Sequence, residues 1–240
     1  MIGTTLNVVG ILAGGIAGTI KRWSLSKATE TNVKIVLGVF TVYYGLRLTI
    51  LSLNGSLVQV LKQVGIAILA LMAGKAIGRL LRLQRWSNRL GHEARERISS
   101  AKPNAPDRLG TGFKVCAGLF CAAPLALLGA VQDGLSGYFY PLAVKAVMDG
   151  LATMGLAPLF GRGVLLAALP VLVVEGTLTL VSGQLLKPWL ETHHLLDSVN
   201  ATGGLVVFSV ALVILGLKRI ELADYLPSLA VAPFLTWLCG

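Results

Sequence analysis

The chain has 240 residues, of which 55% are apolar and only 13% charged, about half the ~25% charged share of a soluble domain. Such a composition cannot build a water-facing shell. It excludes a disordered chain, a secreted disulfide scaffold and an ordinary cytosolic enzyme, and it indicates a polytopic membrane protein. The net charge of +10 does not point to nucleic acid, because ten of the 21 Lys and Arg lie between Lys75 and Lys114. Bunched Lys and Arg orient a membrane protein by staying in cytoplasmic loops, with anionic-lipid contact as a minor addition.

A helix that crosses ~30 Å of hydrocarbon needs ~20 mostly apolar residues. The first candidate is 2–20. It starts almost at once, with no basic residue before Lys21, and so reads as a retained span rather than a cleavable leader. The second runs over 35–53 and the third over 57–83, whose last turns carry Lys75, Arg79 and Arg82. The basic stretch 84–112 follows, with Pro103 and Pro106 as breakers and a short surface helix expected over Arg85–Ile98. The fourth span covers 113–131. Gln132 to Tyr140 then reads either as a solvated outer interface or as the start of a broken, re-entrant element in which Gln132-Asp133-Gly134 lines a path. The fifth span covers 141–160 and the sixth 163–186. A polar loop with Glu191, His193, His194 and Asp197 leads to the seventh span, 201–217, and the eighth, 222–239.

The expected fold is therefore all-α: a polytopic membrane helix bundle of about eight spans, forming a single transmembrane domain over 1–240. With the N-terminus outside, seventeen basic residues fall on the inner side. Only Arg47, Lys62 and Lys187 fall outside, and Lys145 lies within a span. This asymmetry favours that orientation, with both termini outside. A faint internal repetition accompanies it. The first span opens Gly3-Thr4-Thr5-Leu6 and has Gly14-Gly15 near its middle, while the sixth opens Gly163-Val164-Leu165-Leu166 and has Glu175-Gly176. The following spans end in Gly45-Leu46-Arg47 and Gly216-Leu217-Lys218. An odd number of spans separates the two sets, so halves 2–83 and 163–239 would be inverted repeats, an architecture common in transporters.

Ionisable residues at mid-bilayer cost at least ~2.5–3.5 kcal/mol on insertion scales and so need a partner or a purpose. Asp149 and Glu175 lie midway along the fifth and sixth spans. At one depth they can face a common polar cavity, supply oxygen ligands to a hard cation, or exchange protons. Lys145, four residues before Asp149, shares its helix face. It reads as an intrahelical ion-pair partner, as a counter-ion that a cation displaces, or as both. Asp133 and Gln132 are candidates at the end of the fourth span. Thr177 and Thr179, which follow Glu175, can join a cation's oxygen shell or bond back to a carbonyl one turn earlier. Asn7 and Asn200 read first as amides that join helices, and second as ligands. Gly10, Gly14 and Gly18, with Gly74 and Gly78, form small-residue stripes for close helix packing that can also serve a homodimer. His193 and His194 lack a spaced third ligand, so no metal site is expected there. The three cysteines read as thiols used for packing. No catalytic constellation, phosphate-binding loop or cofactor motif is visible, so neither an enzyme nor a resident cofactor is expected beyond a bound Na+.

Three blocks carry a family likeness: Ile2-Gly3-Thr4 with Asn7 and Gly14-Gly15; Gln132-Asp133-Gly134-Leu135 followed by Lys145-Ala146-Val147-Met148-Asp149-Gly150; and Glu175-Gly176-Thr177-Leu178-Thr179-Leu180 with Gly203-Gly204 and Leu226-Pro227. In these the chain resembles the YqgA/YdfK-like family of bacterial inner-membrane proteins, a domain of unknown function. The likeness covers most of the chain outside 84–112 and is most specific in the central block. It implies a multi-pass protein of the bacterial plasma membrane, a sodium channel or pump, and a shared polar core of Asp133, Lys145 and Asp149. The chain departs from the family expectation at Glu175, where Gln is expected. The function expected from these observations is movement of a small monovalent cation, Na+ or H+, across the bilayer by buried acidic residues. The rival expectation is a non-transporting scaffold or sensor acting through the basic loop.

Overall fold

The computed structural model describes residues 1–20, 26–101 and 107–239. Lys21, Arg22, Pro103 and Pro106, used in the reading above, lie outside the described residues. Eleven α-helices make up most of the described chain: α1 (Ile2–Ile20), α2 (Lys27–Leu51), α3 (Leu57–Leu80), α4 (Leu83–Ser99), α5 (Arg108–Cys121), α6 (Pro124–Ser136), α7 (Tyr140–Phe160), α8 (Ala168–Val181), α9 (Lys187–Thr192), α10 (Leu196–Ile214) and α11 (Ser228–Cys239). A 3-10 segment, Gly161–Ala167, joins α7 to α8; a π turn, Ser182–Leu186, joins α8 to α9; a second 3-10 turn, Leu222–Tyr225, precedes α11.

Local sequence explains most of the boundaries. Ser26 caps α2 by accepting from the Thr29 N–H. Ser56 and Gln59 form a reciprocal capping box at the start of α3. Gly137 ends α6 in the left-handed region, which a residue without Cβ adopts at no steric cost.

Six helical runs are long and apolar enough to cross a membrane, and the bent pair α5–α6 makes a seventh. One of the six, Tyr140–Thr192, has 53 residues. Drawn straight it would be about 80 Å long, far more than a bilayer. It is instead folded back on itself. Gly3, Gly14 and Gly18 of α1 meet Leu142, Gly150 and Met154 of α7 in parallel order. The same helix meets the returning arm in reverse order, Asn7 at Glu175 and Gly15 at Leu165. Ser136, just before the run, donates to Asn200, just after it, at 2.7 Å, so both ends of the run lie on one face. Gly161, at φ +61°, stands where the chain turns. Counting its two arms separately, and α5–α6 once, gives the eight crossings read from the sequence.

The remaining helices pair antiparallel. Gly38, Gly45 and Thr49 of α2 meet Leu215, Phe208 and Ala201 of α10. Gly74 and Gly78 of α3 meet Ser228 and Asp224. One face of the bundle gathers the starts of α1, α3 and α10, with Asn54 donating to Asp197 at 3.2 Å and Lys62 reaching the Cys239 carbonyl. The opposite face holds Arg79 bonded to Glu221 at 3.1 Å, and the Gln84 N–H bonded to Asp224 at 2.9 Å. The outer surface is apolar, with exposed Val36, Val39, Leu61, Met72 and Leu169. The interior carries Lys145, Asp149 and Glu175. This is the distribution that lipid as solvent imposes.

Several expectations are corrected in detail. The fourth span is not a straight helix over 113–131: α5 and α6 meet at 57° around Ala122 and Ala123. Pro124 lacks the N–H an unbroken helix needs and forces extended backbone at Ala123 (ψ 129°). Gln132, Asp133 and Gly134 do not begin a broken element. They form the last turns of α6, and the irregular link after them is only 137–139. The second span begins eight residues early, at Lys27, and the seventh five early, at Leu196. Part of the polar loop after the sixth span is helical, as α9. The surface helix is present as α4. The glycine stripes are consumed within the chain: a Cβ on Gly10 or Gly14 would stand 2.5 or 1.9 Å from the carbonyl oxygens of Ala146 and Gly150.

Candidate functional site

Three helices build a charged cluster in the interior. Lys145 and Asp149 stand one turn apart on the inner face of α7, and their side chains form an ion pair. Lys145 is 2% exposed, and its ammonium also lies 3.5 Å from Glu175 Oε1 on α8. Asn7 of α1 donates from Nδ2 to the same Oε1 at 2.8 Å. Glu175 is completely buried and Asp149 8% exposed. The Lys145 ammonium sits 5.7 Å from the Phe120 ring centre, so α5 closes a further side. Thr153 donates to the Asp149 carbonyl at 2.5 Å, which fills the turn below.

This convergence follows from the packing. Because α1 and α7 approach backbone to backbone at Gly10, Gly14 and Gly150, the polar side chains on their flanks reach α8 without a spacer. With both carboxyls ionised, the two acids and one ammonium would carry a net charge of −1, and among the described residues no second cation joins the cluster. Glu175 Oε2 and Asn7 Oδ1 are buried with no hydrogen-bond partner. Such atoms cost about 1–3 kcal/mol each if left dry. They mark a place where an ion or a water would complete the shell.

The other sequence candidates take different places. Asp133 is buried one turn nearer the face with the N-terminus, where it accepts from the Gly3 N–H at 3.0 Å and pairs with the amino group of Met1 at 3.2 Å. It is not the solvated interface residue that one expectation made it, and it does not touch the Lys145 cluster. Gln132, adjacent in sequence, points the other way. Its amide lies against Gly203 of α10, and both side-chain polar atoms are buried and unpartnered. Thr177 is on the exposed side of α8 and takes no part. Its place is taken by Thr179, whose hydroxyl meets that of Thr4 at 3.3 Å, both side chains being buried. Thr4 carried no functional reading in the sequence; the signal that could have found it is its position three residues before Asn7, on the same helix face. Asn200 bonds Ser136 and joins two helices, as an amide in lipid is expected to do. Outside the spans, burial pushes the Tyr138 phenol above its ordinary range, and its hydroxyl donates to the Tyr44 carbonyl. Among the described residues no group of three or more His, Cys, Asp or Glu can hold a metal ion. The acids here are paired with Lys145 and Asn7 instead of with one another.

A family model described as "Protein of unknown function (DUF554)" matches residues 2–237. The chain is 29% identical over 233 residues to "Uncharacterized membrane protein YdfK" of Bacillus subtilis (strain 168), covering 97% of this chain and 94% of that protein. It is 25% identical over 234 residues to "Uncharacterized protein YqgA" of Escherichia coli (strain K12), again covering 97% and 94%. No solved structure matches the chain. The family likeness read from the three sequence blocks is thus borne out over nearly the whole length.

Proposed function

The chain belongs to the DUF554 family of proteins of unknown function, and from that premise we propose that it moves a small monovalent cation, Na+ or H+, across a bacterial plasma membrane. One observation carries the reading: two buried carboxylates, Asp149 and Glu175, share a single ammonium, with the buried oxygens Glu175 Oε2 and Asn7 Oδ1 left unpartnered. The ionised trio is short of one positive charge, and a monovalent cation seated among these oxygens would neutralise it. Asp149 and Glu175 are the ligands in this reading, Lys145 the resident counter-charge and Asn7 the group that orients Glu175.

The antiparallel pairing of α1 with α8, α2 with α10 and α3 with α11 supports inverted halves, 2–83 and 163–239, related across the mid-plane. Transporter sites commonly lie at such an interface. The basic face with Arg79, Arg82, Arg85 and Arg89 is cytoplasmic, and both termini are outside. The bacterial relatives support the plasma membrane as the location.

The test is cation flux into liposomes holding the purified protein, run over a panel of monovalent cations. Flux that is lost in Asp149→Asn, with the variant still eluting as a folded species, supports the proposal. Unchanged flux removes Asp149 from the site, and absence of flux for every cation overturns the function. One feature favours a second reading. Helix α4 is basic, with Trp86 exposed, as in a surface helix that docks on lipid or a partner. A scaffold acting through it would lose function on deletion of 84–99 and tolerate replacement of the buried acids.

A further inference from the structure

We infer that the cation reaches the Lys145–Asp149–Glu175 cluster from the face that holds the N-terminus, along the seam between α1 and α8, with the Thr4–Thr179 hydroxyl pair as its gate and Gly176 as the space that lets the gate part. The inference rests on the proposed function and adds its access route.

Polar groups line the approach to the cluster over about one helical turn of α1, from Gly3 to Asn7, roughly 5.4 Å. Asp133 of α6 comes first, buried against the Gly3 N–H and the Met1 amino group. Thr4 and Thr179 come next, 0% and 3% exposed, with their oxygens 3.3 Å apart. Asn7 and Glu175 follow at 2.8 Å, with Glu175 Oε2 and Asn7 Oδ1 unpartnered. A hydroxyl both donates and accepts, so the pair can bond to itself when closed and offer two oxygens to a passing cation when parted.

The packing of α1 is loose here and tight elsewhere. A Cβ on Gly10, Gly14 or Gly18 would come within 2.5, 1.9 or 2.4 Å of a backbone oxygen of α7. A Cβ on Gly176 would find only the Met1 methyl at 3.4 Å and the Thr4 methyl at 4.0 Å. These are flexible side-chain ends at ordinary contact distance. Beyond the cluster the surroundings change character. Ile11, Phe120, Phe160, Val164, Ala167 and Val171 form one buried apolar group toward the opposite face. An apolar constriction resists a hydrated ion, so this conformation is sealed on that side.

Cysteine accessibility tests the route without requiring flux. On a background with Cys116→Ala, Cys121→Ala and Cys239→Ser, the substitutions Thr4→Cys, Thr179→Cys and Val164→Cys are introduced singly. Each is exposed to a membrane-impermeant cationic thiosulfonate from one face at a time. Thr4→Cys and Thr179→Cys should react from the N-terminal face, slowed by the cation that the flux panel identifies, and Val164→Cys should not react from that face. Reaction of the two threonine positions only from the opposite face, or from neither in a folded protein, overturns the route and leaves the cluster assignment standing. In the flux assay, the double variant Thr4→Val/Thr179→Val should be slower by roughly tenfold, the effect of losing about one hydrogen bond at the barrier. Gly176→Val should lose most of its flux while Gly176→Ala keeps most of it; full flux in Gly176→Val also overturns the gate. If the wild type carries no cation, the proposed function fails, and the labelling pattern alone then decides whether the seam is an access route.

Discussion

Lys145 is held by two acids, and that is where its energetic weight lies. Removing the shared cation leaves two buried carboxylates without a counter-charge. Breaking a buried pair in this way costs about 3–5 kcal/mol. Lys145→Met should therefore lower the thermal unfolding temperature of the detergent-solubilised protein sharply. The triple variant Lys145→Met/Asp149→Asn/Glu175→Gln, which removes all three charges, should recover a large part of the loss. No recovery would mean that Lys145 acts through its packing on Phe120 rather than through charge. Asn7→Leu deletes one donor to Glu175 and should cost about 1–3 kcal/mol, read in the same melt. Neighbours in sequence can differ completely at this scale: Asp133 faces α1 and is paired, while Gln132 faces α10 and is not. Successive helical side chains diverge by about 100°, and no property of the dipeptide says which of the two looks inward.

At the scale of the element, glycine has two distinct roles. Gly14 gives up its side chain so that α1 can lie against the α7 backbone; a Cβ there would overlap the Gly150 carbonyl. Gly14→Ala must push two helices apart, and it should destabilise by at least the ~1–3 kcal/mol of ordinary overpacking. Gly91 in α4 has nothing within 4 Å of where a Cβ would stand. Gly91→Ala should stabilise by up to ~0.8–1.0 kcal/mol, the helix preference of Ala over Gly. Melting curves of the two variants should shift in opposite directions, and equal shifts would refute this account of the α1–α7 contact. The bend between α5 and α6 belongs here too. Pro124 was a visible signal against a straight span over 113–131, whereas the direction taken by α6 after the bend depends on its packing against α8, where Gly134 admits the Thr179 carbonyl.

For the whole molecule the testable quantity is sidedness. The starts of α1 and α3 and the end of α11 lie on one face, and α4 lies on the other. In sealed membranes, Cys239 and an Asn54→Cys residue should be labelled by an impermeant maleimide from the same side, and Arg89→Cys only from the opposite side. Labelling of Asn54→Cys and Arg89→Cys from one side would refute α3 as a crossing and the topology built on it. In the proposed orientation Arg89 is on the cytoplasmic side, and labelling from the outside of intact cells would overturn it.

The sequence alone determined that the chain is a multi-pass membrane helix bundle, its family, and that Lys145 and Asp149 share a face. The family follows from the likeness of three sequence blocks, and the rest from composition or from spacing within one helix, which 3.6 residues per turn makes legible. Only the tertiary structure decided that Glu175 and Asn7 join that pair, that Thr4 and Thr179 meet, that Thr177 is turned outward, and that the glycine stripes are spent inside the chain. Those facts depend on the rotation and crossing of helices far apart in sequence. In lipid, apolar faces have no hydrophobic preference for one another over the acyl chains, so the apolar pattern cannot reveal which faces meet. Backbone contact at small residues and the pairing of buried polar groups choose the partners instead, and both are properties of the assembled bundle.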